Sequence, residues 1–422
     1  MFGALVFASV LGMVLAQAQS QQLESFLYLG RWIPLGLLTV YALFLGASSP
    51  RLRGPAIRRF RGIDGWIMGW IAMAYVSAGY SIAPGTTLLM STTFILGYGA
   101  VFWGVWSYVD RFGERPVITM ILSIAGLIAV ASLASFFTGI GSAADLGYAV
   151  QDGGIVQSVR LRGVLENPNS LGMLCAFTLP LFLVRAMTRK SIFTYGVFGI
   201  VVITALFTGS RGSLGASILG CGYMIWKSKH VGRVGAVFFA LLTVAVGLYG
   251  LRGTIESVIL RPEQLETASG RFLIWELFAE YIRNRPLLGH GWGTEDLLHN
   301  HYGTNLEQLG IRGIYAGSSY VGFAGQVGVL MTAAFFLPLF WLTGRNALVP
   351  RGAGIRLHAL NAVLIVGLTT AAVESWMSSL GNAQSLLFWI PVMLLVRRRV
   401  RARTQRRKQV AASRASPRIG RR

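Results

Sequence analysis

Residues 110–139 read DRFGERPVITMILSIAGLIAVASLASFFTG, with Arg111 and Arg115 at one end and then a run from Val117 to Gly139 without a charged residue. A run of roughly 20 such residues is what a helix needs to cross a bilayer. In lipid, a helix satisfies all of its own backbone hydrogen bonds. The same unit, a basic connection followed by an apolar run, recurs along the chain. Of 422 residues, 54% are hydrophobic and 13% charged, and mean hydropathy is +0.57. Soluble domains carry about a quarter charged residues, so a soluble globular enzyme is excluded.

The spacing predicts an all-α polytopic membrane protein with about 12 transmembrane helices. They fall near 1–18, 25–48, 64–82, 88–109, 117–139, 170–186, 191–208, 212–226, 231–250, 318–343, 356–376 and 383–396. Residues 1–396 are expected to form a single transmembrane domain, followed by a basic cytoplasmic tail at 397–422. Two connections are long, at about 140–169 and 251–317. The second is a large periplasmic loop between spans nine and ten.

Lys and Arg in connecting loops set orientation, because cytoplasmic loops retain them. Arg51, Arg53, Arg58, Arg59 and Arg61 stand on one side. On the same side follow Arg111 and Arg115, then Arg185, Arg189 and Lys190, then Lys227, Lys229 and Arg233, then Arg345, Arg351 and Arg356. Every second loop is basic, so both termini are expected in the cytoplasm. Most of the +22 net charge is then topogenic. The tail RRRVRARTQRRK reads as an orientation signal touching anionic headgroups, and no nucleic-acid partner is expected. Ala16-Gln17-Ala18 resembles a signal-peptidase site. No Lys or Arg precedes that apolar stretch, which favours an uncleaved span. Cys175 and Cys221 both lie in spans, predicting neither a disulfide nor a metal motif.

The informative residues lie on the other face. Its cations are all arginine, among them Arg160, Arg162, Arg211 and Arg271. Basic residues kept outside the cytoplasm need a reason. A guanidinium fork meets phosphate oxygens two at a time. The span interiors hold almost no ionisable residue, while Glu374 and Arg31 sit near outer span ends. Ion-coupled transporters need intramembrane carboxylates or histidines, so the chemistry is expected at the outer surface.

Four segments carry it. RLRGVLENPNSLG (160–172) places two arginines with Asn167 and Asn169 just before a span. GSRGSLG (209–215) places Arg211 in a turn of small residues, where backbone N–H groups and a guanidinium can approach one anion. SGRFLIW (269–275) starts a helix with Arg271, and the apolar spacing of RFLIWELFAEYIRN predicts that amphipathic helix over 271–284. RPLLGHGWG (285–293) ends it with Pro286 and three glycines. A cation at a helix start opposes the dipole. Arg271 therefore calls for an anionic partner, either a ligand or a carboxylate such as Glu266 or Glu276.

In this order the segments resemble the O-antigen ligase/polymerase family, the Wzy, WaaL and ExoQ-like membrane glycosyltransferases, over about 160–343. The resemblance implies a bacterial inner-membrane enzyme with a periplasmic active site. Its donor would be a glycan on undecaprenyl diphosphate, and its acceptor another glycan or a lipid. It would need no cofactor and no metal. A chain-length regulator protein would be a partner. Arg160, Arg162, Arg211 and Arg271 would hold the diphosphate, and a loop histidine would act as base on the acceptor hydroxyl. Members usually carry a His-Asn-Ser-Tyr-like motif before the span that follows the large loop. Here that place reads Ala316-Gly317-Ser318-Ser319-Tyr320, with Gly317 where histidine would stand. Upstream, His299-Asn300-His301-Tyr302 offers His299 and then His301 as the base.

Polymerase is the favoured activity. Alternatives are an O-antigen ligase acting on lipid A-core, a lipid-linked glycan transporter, and a non-catalytic export scaffold. Several residues also have plainer readings. Asn167 and Asn169 suit a cap of span six as well as substrate binding. Tyr320, Trp292 and Tyr302 suit a membrane interface as well as sugar stacking. His290, between glycines, reads as a loop residue.

Overall fold

The computed structural model describes residues 2–15, 30, 32–48, 62–138, 144–151, 154–165, 167–189, 191–228, 271–303, 315–351, 354–377 and 382–415. Helices α1 (Phe2–Leu15), α2 (Trp32–Ser48), α3 (Gly62–Val76), α4 (Pro84–Phe112) and α5 (Glu114–Thr138) lead to a two-stranded hairpin. Then come α6 (Pro168–Thr188), α7 (Ile192–Phe207) and α8 (Arg211–Lys227). After these follow α9 (Arg271–Asn284), the short α10 (Leu298–His301), α11 (Ser319–Ala347), α12 (Ile355–Ala371) and α13 (Ala383–Ala415). A helix stands at each expected span except 231–250, which lies outside the described residues, as do 251–270 and 304–314 of the long loop. Among the described residues, four helices (α4, α5, α6 and α11) are long and apolar enough to cross a membrane. The chain is a helical membrane protein.

α6 is the central post. It is apolar around its whole circumference, and from Leu171 to Val184 every residue is buried, the mark of a helix enclosed by others. α5, α7, α8, α12 and α13 surround it.

Among the described residues, the basic ends at Arg115, Arg185, Arg189 and Arg356 meet at one end of this bundle. There the expected break between membrane domain and tail, at 396/397, falls inside α13, which runs on to Ala415. The first tail arginines are structural. Arg397, only 3% exposed, donates through Nε to Asp110 (2.8 Å), through Nη1 to Glu114 (3.3 Å) and through Nη2 to the Val109 carbonyl (3.1 Å). Arg398 forks onto Glu114, and Arg401 reaches Asp110 at 2.8 Å. These arginines lock α13 to the turn between α4 and α5.

The opposite end carries the departures from a purely helical fold. Ala144–Gln151 and Gly154–Leu161 pair antiparallel as β1 and β2, with Asp145 opposite Arg160. α11 is broken at Gly328 (φ 78°, ψ 167°), and the loop 285–293 fits into the break. The N–H groups of His290 and Gly291 donate to the Gln326 carbonyl (3.0 and 2.8 Å), and Val329 N–H donates to the Pro286 carbonyl at 2.8 Å. The groups freed by the broken helix are thereby satisfied by protein, as buried backbone groups require.

Candidate functional site

Arg160, Asn169 and Arg271 converge on one carboxylate. The end of β2 delivers Arg160 and the first turn of α6 delivers Asn169. Arg271 opens α9, and the connection after α12 supplies Glu374. Arg160 Nη2 donates to Asn169 Oδ1 at 2.6 Å, and Asn169 Nδ2 donates to Glu374 Oε1 at 3.0 Å. Arg271 Nη2 meets the same oxygen at 2.6 Å. The partner of Arg271 is therefore Glu374 rather than Glu276. Glu266 lies outside the described residues.

Arg211 stands beside this group through its turn. Arg160 Nε donates to the Thr208 carbonyl at 2.9 Å, tying the guanidinium to that turn. Gly212 packs directly against the Val373 side chain, next to Glu374, and Gly172 packs against Thr208, Ser210 and Ser213. Small residues are needed because three segments meet here at backbone distance. Arg211 is half-buried at the start of α8, where first-turn amides and the dipole favour an anion.

Burial pushes the Glu374 carboxyl upward, while Arg271 and Arg160 pull it back. Its carbonyl accepts from Ser319 N–H (3.1 Å) and Ser319 Oγ (2.8 Å), which fastens the connection to α11. Gly317 has φ +61°, and a side chain there would begin 3.5 Å from Arg271 Nε. The place of the missing motif histidine thus adjoins the arginine cluster.

The other sequence-predicted residues sit as follows. Asn167 is exposed and caps α6, accepting from Asn169 N–H at 2.8 Å. Arg162 is half-buried, one residue beyond β2. Tyr320 donates to the Leu368 carbonyl at 2.7 Å, with its ring against Phe336 and Phe340, so helix packing occupies it. His299 is half-buried, and among the described residues its Nδ1 has no hydrogen-bond partner. His301 is exposed, its ring 6.2 Å from that of His290. Among the described residues, neither histidine touches the arginine cluster. A small second core of Phe278, Tyr281, Leu298 and Ala316 nevertheless joins α9, α10 and the segment before α11. Arg271 and both histidines belong to that one packed unit.

His290 is buried, with Nδ1 at the Gly325 carbonyl (2.9 Å) and Nε2 at the Tyr302 hydroxyl. Trp292 is buried among Trp70, Phe94 and Phe323, which fits neither the membrane-interface nor the sugar-stacking reading.

Sequence reasoning assigned no role to two acids. Glu374 is one. The other, Glu295, is buried and accepts from Ala316 N–H (2.9 Å) and Gln326 Nε2 (3.2 Å). Burial pushes its carboxyl from 4.5 up to about 7. Between those values the folded chain holds the proton and the unfolded chain has lost it. Stability from this group is therefore full below about 4.5, declines as pH rises to about 7, and is level above that. Thermal unfolding in detergent from about pH 4.5 to about pH 8 is expected to show this decline, and Glu295→Gln to flatten it.

No curated protein matches the chain. Residues 174–336 match the family model described as O-Antigen ligase. The match includes Arg211, Arg271, His299, His301 and Tyr320, while Arg160, Arg162, Asn167, Asn169 and Glu374 lie outside it. Over this segment, which is less than half of its length, the chain is similar to the O-antigen ligase family.

Proposed function

We propose that this chain is an inverting, metal-independent glycosyltransferase of the bacterial inner membrane, acting at the periplasmic face with both termini cytoplasmic. It takes a glycan from undecaprenyl diphosphate and joins it to a second lipid-linked glycan as a polymerase. The observation that carries the reading is the convergence of Arg160, Asn169 and Arg271 on Glu374, beside the Arg211 turn.

The chemistry follows from the charges. As the anomeric carbon leaves the diphosphate oxygen, negative charge grows on the leaving group. Guanidinium groups fixed at that point stabilise it more in the transition state than in the ground state. Glu374 holds Arg271 and Asn169 in place before the donor arrives, and the diphosphate takes over as the anion. The acceptor hydroxyl must lose a proton as it attacks. His299, its Nδ1 unpartnered among the described residues, is the first residue assigned to that step and His301 the second. Arg162 and Asn167 are assigned to the approach of the glycan, and Tyr320, whose hydroxyl and ring are taken up by helix packing, is not.

The test is complementation of a deletion strain with wild type, Arg211→Ala, His299→Ala and His301→Ala, reading surface glycan on a gel. The polymerase reading expects Arg211→Ala to lose long chains and keep single repeat units. Loss of all attached glycan with lipid-linked glycan accumulating would mean a ligase. Wild-type glycan from every variant would sink the enzyme reading in favour of a transporter or scaffold. Failure of Arg211→Ala alone would leave the diphosphate site standing and remove the histidines.

A further inference from the structure

A second charged site lies at the far end of the bundle from Glu374. The start of α5, the end of α6 and the start of α12 enclose a cleft of about 300 Å³. Arg115, Arg185, Arg189 and Arg356 line it, above an apolar floor that includes Leu122, Val184 and Leu360. Among the described residues none of the four arginines is in an ion pair. Glu114 is the one acid in the lining, and Arg397 and Arg398 already hold its carboxylate. Arg185 makes one long hydrogen bond, from Nη1 to Thr119 Oγ1 at 3.4 Å. Four cations thus face one another across a single cleft without a counter-charge of their own.

Like charges so placed repel, and an anion relieves them. Orientation does not require that they share a cleft, because topogenic charge acts anywhere near the span ends. The ligand must also suit the floor. The arginines stand where α5 begins, α6 ends and α12 begins, α5 and α6 being two of the helices long enough to cross a membrane, and the apolar floor lies between these three helices. A free phosphate would leave that floor unused. A lipid uses both parts, its phosphate in the arginine forks and its chains against the leucines and valine.

We infer that this cleft is a binding site for an anionic phospholipid, seated with its phosphodiester between Arg115, Arg185, Arg189 and Arg356. Bound there, the lipid would tie α5, α6 and α12 together at the end remote from the candidate active site.

The experiment is native mass spectrometry of the purified full-length protein, titrated with phosphatidylglycerol, phosphatidylethanolamine or inorganic phosphate. Phosphatidylglycerol is expected to bind preferentially and to raise the thermal unfolding temperature. The double variant Arg189→Gln/Arg356→Gln changes two exposed residues outside the candidate active site. It is expected to weaken phosphatidylglycerol binding by about tenfold or more, since each arginine–phosphate contact is charge-assisted. It should unfold at the wild-type temperature in lipid-free detergent. Arg115→Gln gives an independent second reading. Equal binding of phosphatidylethanolamine, or undiminished phosphatidylglycerol binding by both variants, would overturn the proposal. Inorganic phosphate giving the same stabilisation, lost in the same variants, would replace the lipid with a free anion.

Discussion

Arg271→Ala is expected to slow glycan transfer by about 10²–10³-fold while leaving the protein folded, because removing one donor to a developing anion costs that much. Arg271 Nη2 sits 2.6 Å from Glu374 Oε1, and Arg160 reaches the same oxygen through Asn169. The variant therefore leaves Glu374 with Arg160 still nearby, and a carboxyl already raised by burial can also take up a proton. Neither outcome strands a bare charge, so thermal unfolding should shift little. Arg271→Lys is expected to recover only a small part of the rate, since an ammonium is a point charge and cannot span two phosphate oxygens. Glu374→Gln separates holding from binding. It keeps an oxygen for Arg271 and Asn169 but removes the charge that the diphosphate would displace. Its effect is expected to be smaller than that of Arg271→Ala and to fall mainly on KM. The measurement is the initial rate of transfer from a lipid-linked donor by purified protein. A folded Arg271→Ala protein with wild-type rate would remove Arg271 from the reaction.

The cluster shows which parts of the site the sequence could reveal. Arg160, Asn169 and Arg211 lie in short motifs, each near a span start, and could be read locally. Glu374 could not. It is one carboxylate after α12, more than 200 residues from Asn169, and only folding brings the two together. The missing histidine at position 317 was legible, but its neighbourhood beside Arg271 was not. Span positions were legible because a bilayer imposes a length on every helix that crosses it. Segments outside that constraint were read less well. β1 and β2 lie in a stretch read only as a loop, although Asp152-Gly153-Gly154 between alternating residues is a hairpin-type signal. The tail was read by its charge, while its Arg, Ala, Gln and Lys are also good helix formers. Arg397 and Arg398 then fix that helix to Asp110 and Glu114. RPLLGHGWG reads locally as the end of α9. Its partner, the break in α11, is invisible in a run as apolar as residues 319–347.

Gly328→Ala is expected to be the most damaging single substitution to the fold, costing more than about 4 kcal/mol, the range reserved for backbone strain and steric failure together. At φ 78° and ψ 167° the residue occupies a region essentially confined to glycine. A methyl group there would also lie 2.2 Å from the Leu287 carbonyl oxygen and 2.8 Å from that of Pro286. Both contacts are backbone, so no side-chain rotation relieves them. If α11 instead straightened, the Gln326 carbonyl would turn back into the helix and abandon the amides of His290 and Gly291, which it now accepts at 3.0 and 2.8 Å. Buried amides left without partners are costly in their own right. Gly344→Ala is the control. It lies in the same helix, an added methyl meets nothing within 4 Å, and the change should be neutral or stabilising by about 0.5–1 kcal/mol. Membrane yield, monodispersity in detergent and thermal unfolding read the difference, and equal stability of the two variants would show that the break at Gly328 is not required. The loop held in that break joins α9 to α10, and so joins Arg271 to His299 and His301. Any Gly328→Ala protein that does fold should therefore lose transfer activity as well, through displacement of residues it does not touch.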